Sequence, residues 1–93
     1  MVTEVLQTGS ENAIKGRVIC GLLGISPREL TQAIEKERRT GAPICSNTGR
    51  NPGYYLAENR GEMERFCNSL RKRAGEIFKT RRACLNAAET LPQ

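Results

Sequence analysis

The sequence predicts an α+β chain, mainly α with one small β-hairpin, in the order helix, tight turn, helix, hairpin, long C-terminal helix. Three observations carry that prediction. Between Gly16 and Leu56, two short amphipathic stretches meet at Gly24-Ile25-Ser26, where a helix stop and a helix start stand side by side. Two runs rich in β-formers, Ile44-Cys45-Ser46 and Tyr54-Tyr55-Leu56, flank a loop of Asn, Gly and Pro. From about Arg60 to Ala88, apolar residues recur at helical spacing.

The first residues carry a weaker pattern. Val2, Val5 and Leu6 have the spacing of a short helix, Thr8-Gly9-Ser10 reads as a turn, and Asn12-Ala13-Ile14 as a small leading strand that pairs with the hairpin. The segment Arg17 to Leu23 is apolar at Val18, Ile19, Leu22 and Leu23, which predicts a short helix with one buried face. Gly24 ends it, because glycine takes the left-handed conformation a helix C-terminus favours, and Ile25 supplies the accompanying apolar contact. Ser26 opens the next helix. Its hydroxyl can accept from a free amide of the first turn, Pro27 has no amide to leave unsatisfied, and Glu29 is the acid of a capping box.

On a wheel of about 100° per residue with Leu30 at zero, Ala33 and Ile34 fall within about 60°, while Arg28, Gln32, Glu35 and Arg39 face the opposite side. Glu37 lies only about 20° from Leu30, so it is drawn toward the core and requires a cationic or hydrogen-bonding partner there. Arg81, the one base on the apolar face of the last helix, is a candidate. Thr40-Gly41 closes the second helix and Ala42-Pro43 forces an extended exit. The hairpin loop, Asn47-Thr48-Gly49-Arg50-Asn51-Pro52-Gly53, carries Arg50 at its tip.

This is the order of a winged helix-turn-helix, whose second helix enters the major groove of duplex DNA and reads base edges near its N-terminus. Arg28, Thr31 and Gln32 are the candidate readers, arginine suiting guanine and glutamine suiting adenine. Arg38, Arg39 and Arg50, with Lys15 and Arg17, are candidates for phosphate. Taken alone, the polar face of the second helix reads first as a solvated surface, and Arg50 equally as an ordinary exposed loop residue. Their combination with the cap and the arginine-tipped hairpin favours DNA.

The stretch LLGISPRELTQAIEKERRTGAPI, followed by GYYL, resembles the N-terminal DNA-binding domain of the biotin-operon repressor and similar small winged helices. Those share the pattern LGxSRxx(hydrophobic)xxxIxxLRxxGxxI…GYxL. The motifs are moderately specific and cover about forty of the 93 residues. The resemblance implies sequence-specific DNA binding through the second helix and the wing, and picks out Ser26, Arg28, Thr31, Gln32, Arg38 and the hairpin before Gly53-Tyr54. Two positions depart from the pattern: Glu37 stands where the family has leucine, and Pro27 where it has arginine, which displaces Arg28 by one place. The likeness extends only to that family's DNA-binding domain, so no catalytic function carries over. The whole chain, including ENAIKGR and RAGEIFKTRRACL, is also similar to small uncharacterised prophage-associated proteins of Gram-positive bacteria.

Asn59 and Glu62 form a capping pair for the last helix. With Met63 at zero, Phe66, Cys67, Leu70, Ala74, Ile77, Phe78, Cys84, Leu85 and Ala88 lie within about 60°, a continuous stripe with Arg81 as its one polar member. About 28 residues make roughly 42 Å of helix, more than one small domain needs to cover a flank. Residues 1–58 are therefore expected to form the winged domain and residues 59–93 an amphipathic helix and tail. Part of that helix covers the core and the rest is used by another copy of the chain, in an isologous dimer of antiparallel or crossed helices. The other use is a fold back onto its own domain with a break at Gly75.

The formal charge is +5. From Arg60 to Arg82 eight bases outnumber three acids, and elsewhere seven balance seven, so the whole excess lies in this helix, clustered at Arg71-Lys72-Arg73 and Arg81-Arg82. Such clusters grip phosphates or keep an outer face soluble. At 93 residues the chain suits one modest aliphatic core, with no Trp and few aromatics. Cys20, Cys45, Cys67 and Cys84 form no CxxC pair and His is absent, which argues against zinc and against a disulfide framework; three of them sit on apolar faces or strands, where free cysteine acts as a small hydrophobe. No signal peptide or membrane-length apolar run is evident, so a cytoplasmic protein with reduced thiols is expected. Without His, a Gly-rich phosphate loop or a nucleophile elbow, neither an enzyme nor a cofactor or small-molecule ligand is expected. The expected function is thus duplex DNA binding, as a small transcriptional regulator or prophage DNA-binding factor. The rival is an interaction module of a replication or packaging assembly that keeps the fold and uses the tail stripe.

Overall fold

Two helices and a hairpin stand where their caps place them in the sequence. In the computed structural model, which describes residues 1–93, helix α1 spans Gly16–Leu23 and helix α2 Pro27–Arg39. Strands β1, Ile44–Asn47, and β2, Gly53–Leu56, form a two-stranded antiparallel sheet, and helix α3 runs unbroken from Arg60 to Ala88. Single 3-10 turns at Val2–Val5 and Ser10–Asn12 precede them. The chain is thus mainly helical with one hairpin. It divides into two compact units, Met1–Met63 and Glu64–Gln93.

The first unit has the core. Val2, Leu6, Ile19, Leu30, Ile34 and Ile44 enclose one another, with Ile14, Leu23, Ile25, Tyr54 and Leu56 packed around them. Gly24 takes the left-handed conformation and the Ile25 amide donates to the Cys20 carbonyl, closing α1 as its sequence predicts. At the start of α2, the Glu29 amide donates to Ser26 Oγ at 3.1 Å and the Ser26 amide to Glu29 Oε1 at 3.0 Å, a complete capping box.

The buried face of α1 is narrower than expected. Ile19 is enclosed and Leu23 half-buried, whereas Val18 and Leu22 are 46% and 63% exposed. Residues 18 and 22 lie one above the other about 100° from the line of 19 and 23. An eight-residue helix packed along one line leaves the adjacent line in water.

The N-terminal turn contributes more than its weak pattern suggests. Val2 and Leu6 belong to the core, and the turn supplies the partners of Glu37, which is buried at 7% exposure. The Val2 amide donates to Glu37 Oε2 at 2.8 Å and the Thr3 amide to Oε1 at 3.1 Å. A hydrogen-bonding partner is therefore present as required, but it is peptide backbone rather than the Arg81 side chain. Two donors on one carboxylate offset much of the cost of burying it.

Ile14 does pair with the hairpin, though only as an isolated bridge to Tyr54; Ser10–Asn12 before it forms the 3-10 turn instead of a strand. The Ile14 and Tyr54 amides donate to each other's carbonyls at 2.9 and 2.8 Å. That closeness explains Gly53. Its φ is +144°, and a side-chain carbon there would lie 2.4 Å from the Ile14 carbonyl oxygen.

Candidate functional site

The outward face of α2 is the site the sequence singles out. Its inner line, Leu30, Ile34 and Glu37, is buried, while Arg28, Thr31, Gln32, Glu35, Lys36 and Arg39 are all exposed. Of these Lys36 was not among the candidate readers, although it shares the exposed face. The capping box fixes where the helix begins and hence which residues occupy its first turns. Arg28 and Gln32 lie one turn apart and extend freely. Thr31 is exposed but its hydroxyl donates to the Pro27 carbonyl at 3.1 Å, which leaves the methyl group and an oxygen lone pair for a ligand. Ser26 is exposed too, with its oxygen engaged in the cap.

The three candidate phosphate arginines differ in kind. Arg39 is exposed and bonded to Glu35 one turn earlier, a surface pair that contributes little and competes weakly with a phosphate. Arg50 is exposed in the hairpin loop. Arg38 is half-buried, and its Nε donates to the Ile44 carbonyl at 2.8 Å, so this side chain clips the end of α2 to the start of β1. Its clearest role is structural. Lys15 and Arg17 are exposed at the N-terminus of α1, which has no side-chain cap and no acid in its first turn.

The loop that bears Arg50 is held from both ends. Asn47 Nδ2 donates to the Ser10 carbonyl at 3.1 Å, and Asn51 Nδ2 reaches the Ser10 and Glu11 carbonyls at 3.2 and 3.1 Å. Nothing in the sequence marks these two asparagines apart from ordinary turn formers. Their signal is that each has a side-chain donor long enough to leave the loop and tie down another segment. Glu62 completes the anchoring: buried in the first turn of α3, it accepts from the Glu58 amide at 2.7 Å and the Ser10 amide at 3.3 Å, while its own amide donates to Asn59 Oδ1 at 2.9 Å.

Charge is uneven on this unit's surface. The acids Glu37 and Glu62 are buried and hydrogen-bonded, so the exposed surface of Met1–Met63 is more basic than its composition. Glu29 is exposed, and the Ser26 amide, then the Ser26 hydroxyl, hold its carboxyl below the ordinary carboxylate value. The four cysteines are free thiols. Cys45 is buried as a small hydrophobe with its sulfur 3.8 Å from that of Met63, whereas Cys67 and Cys84, although on the apolar line of α3, are exposed. No helix is long and apolar enough to cross a membrane. Comparison with family models, curated proteins and solved structures finds no match to the chain.

Proposed function

We propose that the chain is a winged helix-turn-helix protein that binds double-stranded DNA with sequence preference, as a small transcriptional regulator or a prophage DNA-binding factor. One observation carries this reading: α2 buries one face completely and presents Arg28, Thr31, Gln32 and Lys36 on the other, with no side chain of the first unit hydrogen-bonded to the guanidinium of Arg28 or the amide of Gln32. A helix of thirteen residues is about 20 Å long and fits the major groove. Arg28 and Gln32 then read base edges. Arg39, Arg50, Lys15 and Arg17 hold phosphates, and the anchored loop acts as the wing. Arg38 works indirectly, by fixing the hairpin against α2. Function is occupancy of a site, with no chemistry performed.

A second reading, a protein-interaction module, is favoured by the exposed Val18 and Leu22 on α1. The two separate in one experiment. Selection from a randomised duplex library, repeated across a salt series, should enrich a motif with the wild-type chain and lose it with Arg28→Ala combined with Gln32→Ala; each bidentate base contact is worth about 1–3 kcal/mol of discrimination. Arg50→Ala should instead weaken binding to all sequences alike and lower the salt slope by roughly one contact. Motif-free retention that vanishes with salt would overturn the proposal in favour of the interaction module.

A further inference from the structure

Phe66, at the start of the second unit, is buried, but from Cys67 onward the apolar stripe of α3 lies in water in the single chain. Every residue from Cys67 to Gln93 is exposed, Ile77 and Phe78 by 68% and 67%. A helix of this length ordinarily owes its stability to a buried face. The stripe advances by alternating steps of four and three through Leu70, Ala74, Ile77, Arg81, Cys84 and Ala88, the spacing of a coiled-coil seam. Cys67 continues it at one end and Leu91, on the turn that closes α3, at the other.

We propose that this face is covered by the same face of a second copy of the chain, running antiparallel, with the two-fold axis passing beside Lys79. In that register Leu70 faces the partner's Ala88, Ala74 faces the partner's Cys84, and Ile77 lies along the stem of the partner's Arg81. Leu70 against the partner's Ala88 and Cys67 against the partner's Leu91 pair large with small in the outer layers, and Ala74 with Cys84 makes a layer of two small side chains between them. Phe78, on the flank of the seam, meets its own copy beside the axis, where the Arg81 guanidinium can lie over the ring. The overlap from Cys67 to Leu91 is about 36 Å on a helix about 10 Å across, a projected footprint of roughly 360 Å², about half of the roughly 800 Å² per partner of a standard interface. Shifting the register by one heptad shortens it and strands a leucine in water.

Charge selects the direction. A parallel pair would stack Arg81 on Arg81 in the seam, set Ala74 on Ala74 across a void, and hold the two Arg71-Lys72-Arg73 clusters side by side. Reversal carries each cluster to the far end of the other helix, where Arg71 lies near the partner's Glu89. The dimer is independent of DNA binding, since one is read by mass and the other by retention, and either can fail alone.

Sedimentation equilibrium of the full chain under reducing conditions should give twice the 10.3 kDa chain mass at micromolar concentration. Ile77→Glu, at a position already in water in the single chain, should raise the dissociation constant by about 30-fold or more without altering the fold. For direction, Ala74→Cys under mild oxidation should form a disulfide from position 74 to the partner's Cys84, identified by peptide mass, whereas the wild-type chain should stay uncrosslinked. A chain that remains monomeric, or a dimer indifferent to Ile77→Glu, overturns the proposal. A wild-type Cys84-to-Cys84 disulfide overturns the antiparallel arrangement.

Discussion

Ile34 and Ile77 are the same side chain on two amphipathic helices, and only one of them is inside anything. In the first unit, α2 is met by α1, the N-terminal turn and β1, so its apolar line becomes a core. In the second unit, α3 carries a longer stripe, yet Ile77, Phe78, Leu85 and Leu91 are exposed in the single chain. Amphipathic spacing specifies which face of a helix is ready to be buried. Burial itself requires a second element, and the two units differ in whether the chain supplies it.

The largest expected effect tests that difference directly. Ile34→Ala removes three buried carbons from an enclosed site and should cost about 2–5 kcal/mol. Ile77→Ala should leave the unfolding of the first unit within about 0.5 kcal/mol of wild type. Both tyrosines, Tyr54 and Tyr55, lie on β2, so urea unfolding followed by tyrosine fluorescence reports the first unit alone. Equal losses for the two variants would mean that the stripe of α3 belongs to the first unit's cooperative core, and the contrast between the units would collapse.

A second pair of substitutions sharpens the comparison through the backbone. Gly53→Ala forces a methyl group against the Ile14 carbonyl at a positive φ and should cost at least about 3 kcal/mol, read from the same urea midpoint. Gly75→Ala, with nothing near it, should do the reverse: an alanine in the middle of an exposed helix favours it by about 1 kcal/mol, visible as a rise in helical signal by circular dichroism. A tolerated Gly53→Ala would remove the Ile14–Tyr54 bridge from the account of how the hairpin is held.

What was legible in the sequence follows the same line. The caps of α1, α2 and α3 and both strands were readable because their signals are local: Gly24, the Ser26–Glu29 box, the Asn59–Glu62 pair and the Ala42-Pro43 exit each act within a few residues. The wheel also placed Glu37 in the core. Its partners were not readable, because peptide amides carry no sequence identity and the turn that offers them lies 35 residues away. The same holds for the Asn47 and Asn51 amides, whose acceptors are the Ser10 and Glu11 carbonyls. Val18 and Leu22 were misplaced because an i, i+1, i+4, i+5 pattern leaves open which of two adjacent lines the rest of the fold will meet. Of the candidate site residues, Arg28, Gln32 and Arg50 extend into solvent as expected, and Arg38 turns inward because the chain after α2 passes within reach of its Nε.

The smallest effect concerns the capping box, and it separates the two units by pH. The Ser26 amide and hydroxyl hold the Glu29 carboxyl below its ordinary value near 4.5, so the unfolded chain takes up that proton at a higher pH than the folded chain does. The resulting stabilisation is fully present above the unfolded value and is lost as the pH falls through the lowered folded one. Glu29→Gln should therefore be less stable than wild type at neutral pH, with the gap closing below about pH 4 as the wild-type carboxyl protonates. Ser26→Ala removes the other half of the box and should cost about 1 kcal/mol at neutral pH. Tyrosine-monitored urea titrations at a series of pH values read both. Glu29 lies in α2, so the helical signal that α3 contributes should not follow the change; if it does, helix start and helix tail unfold together and the two units are one in thermodynamic terms.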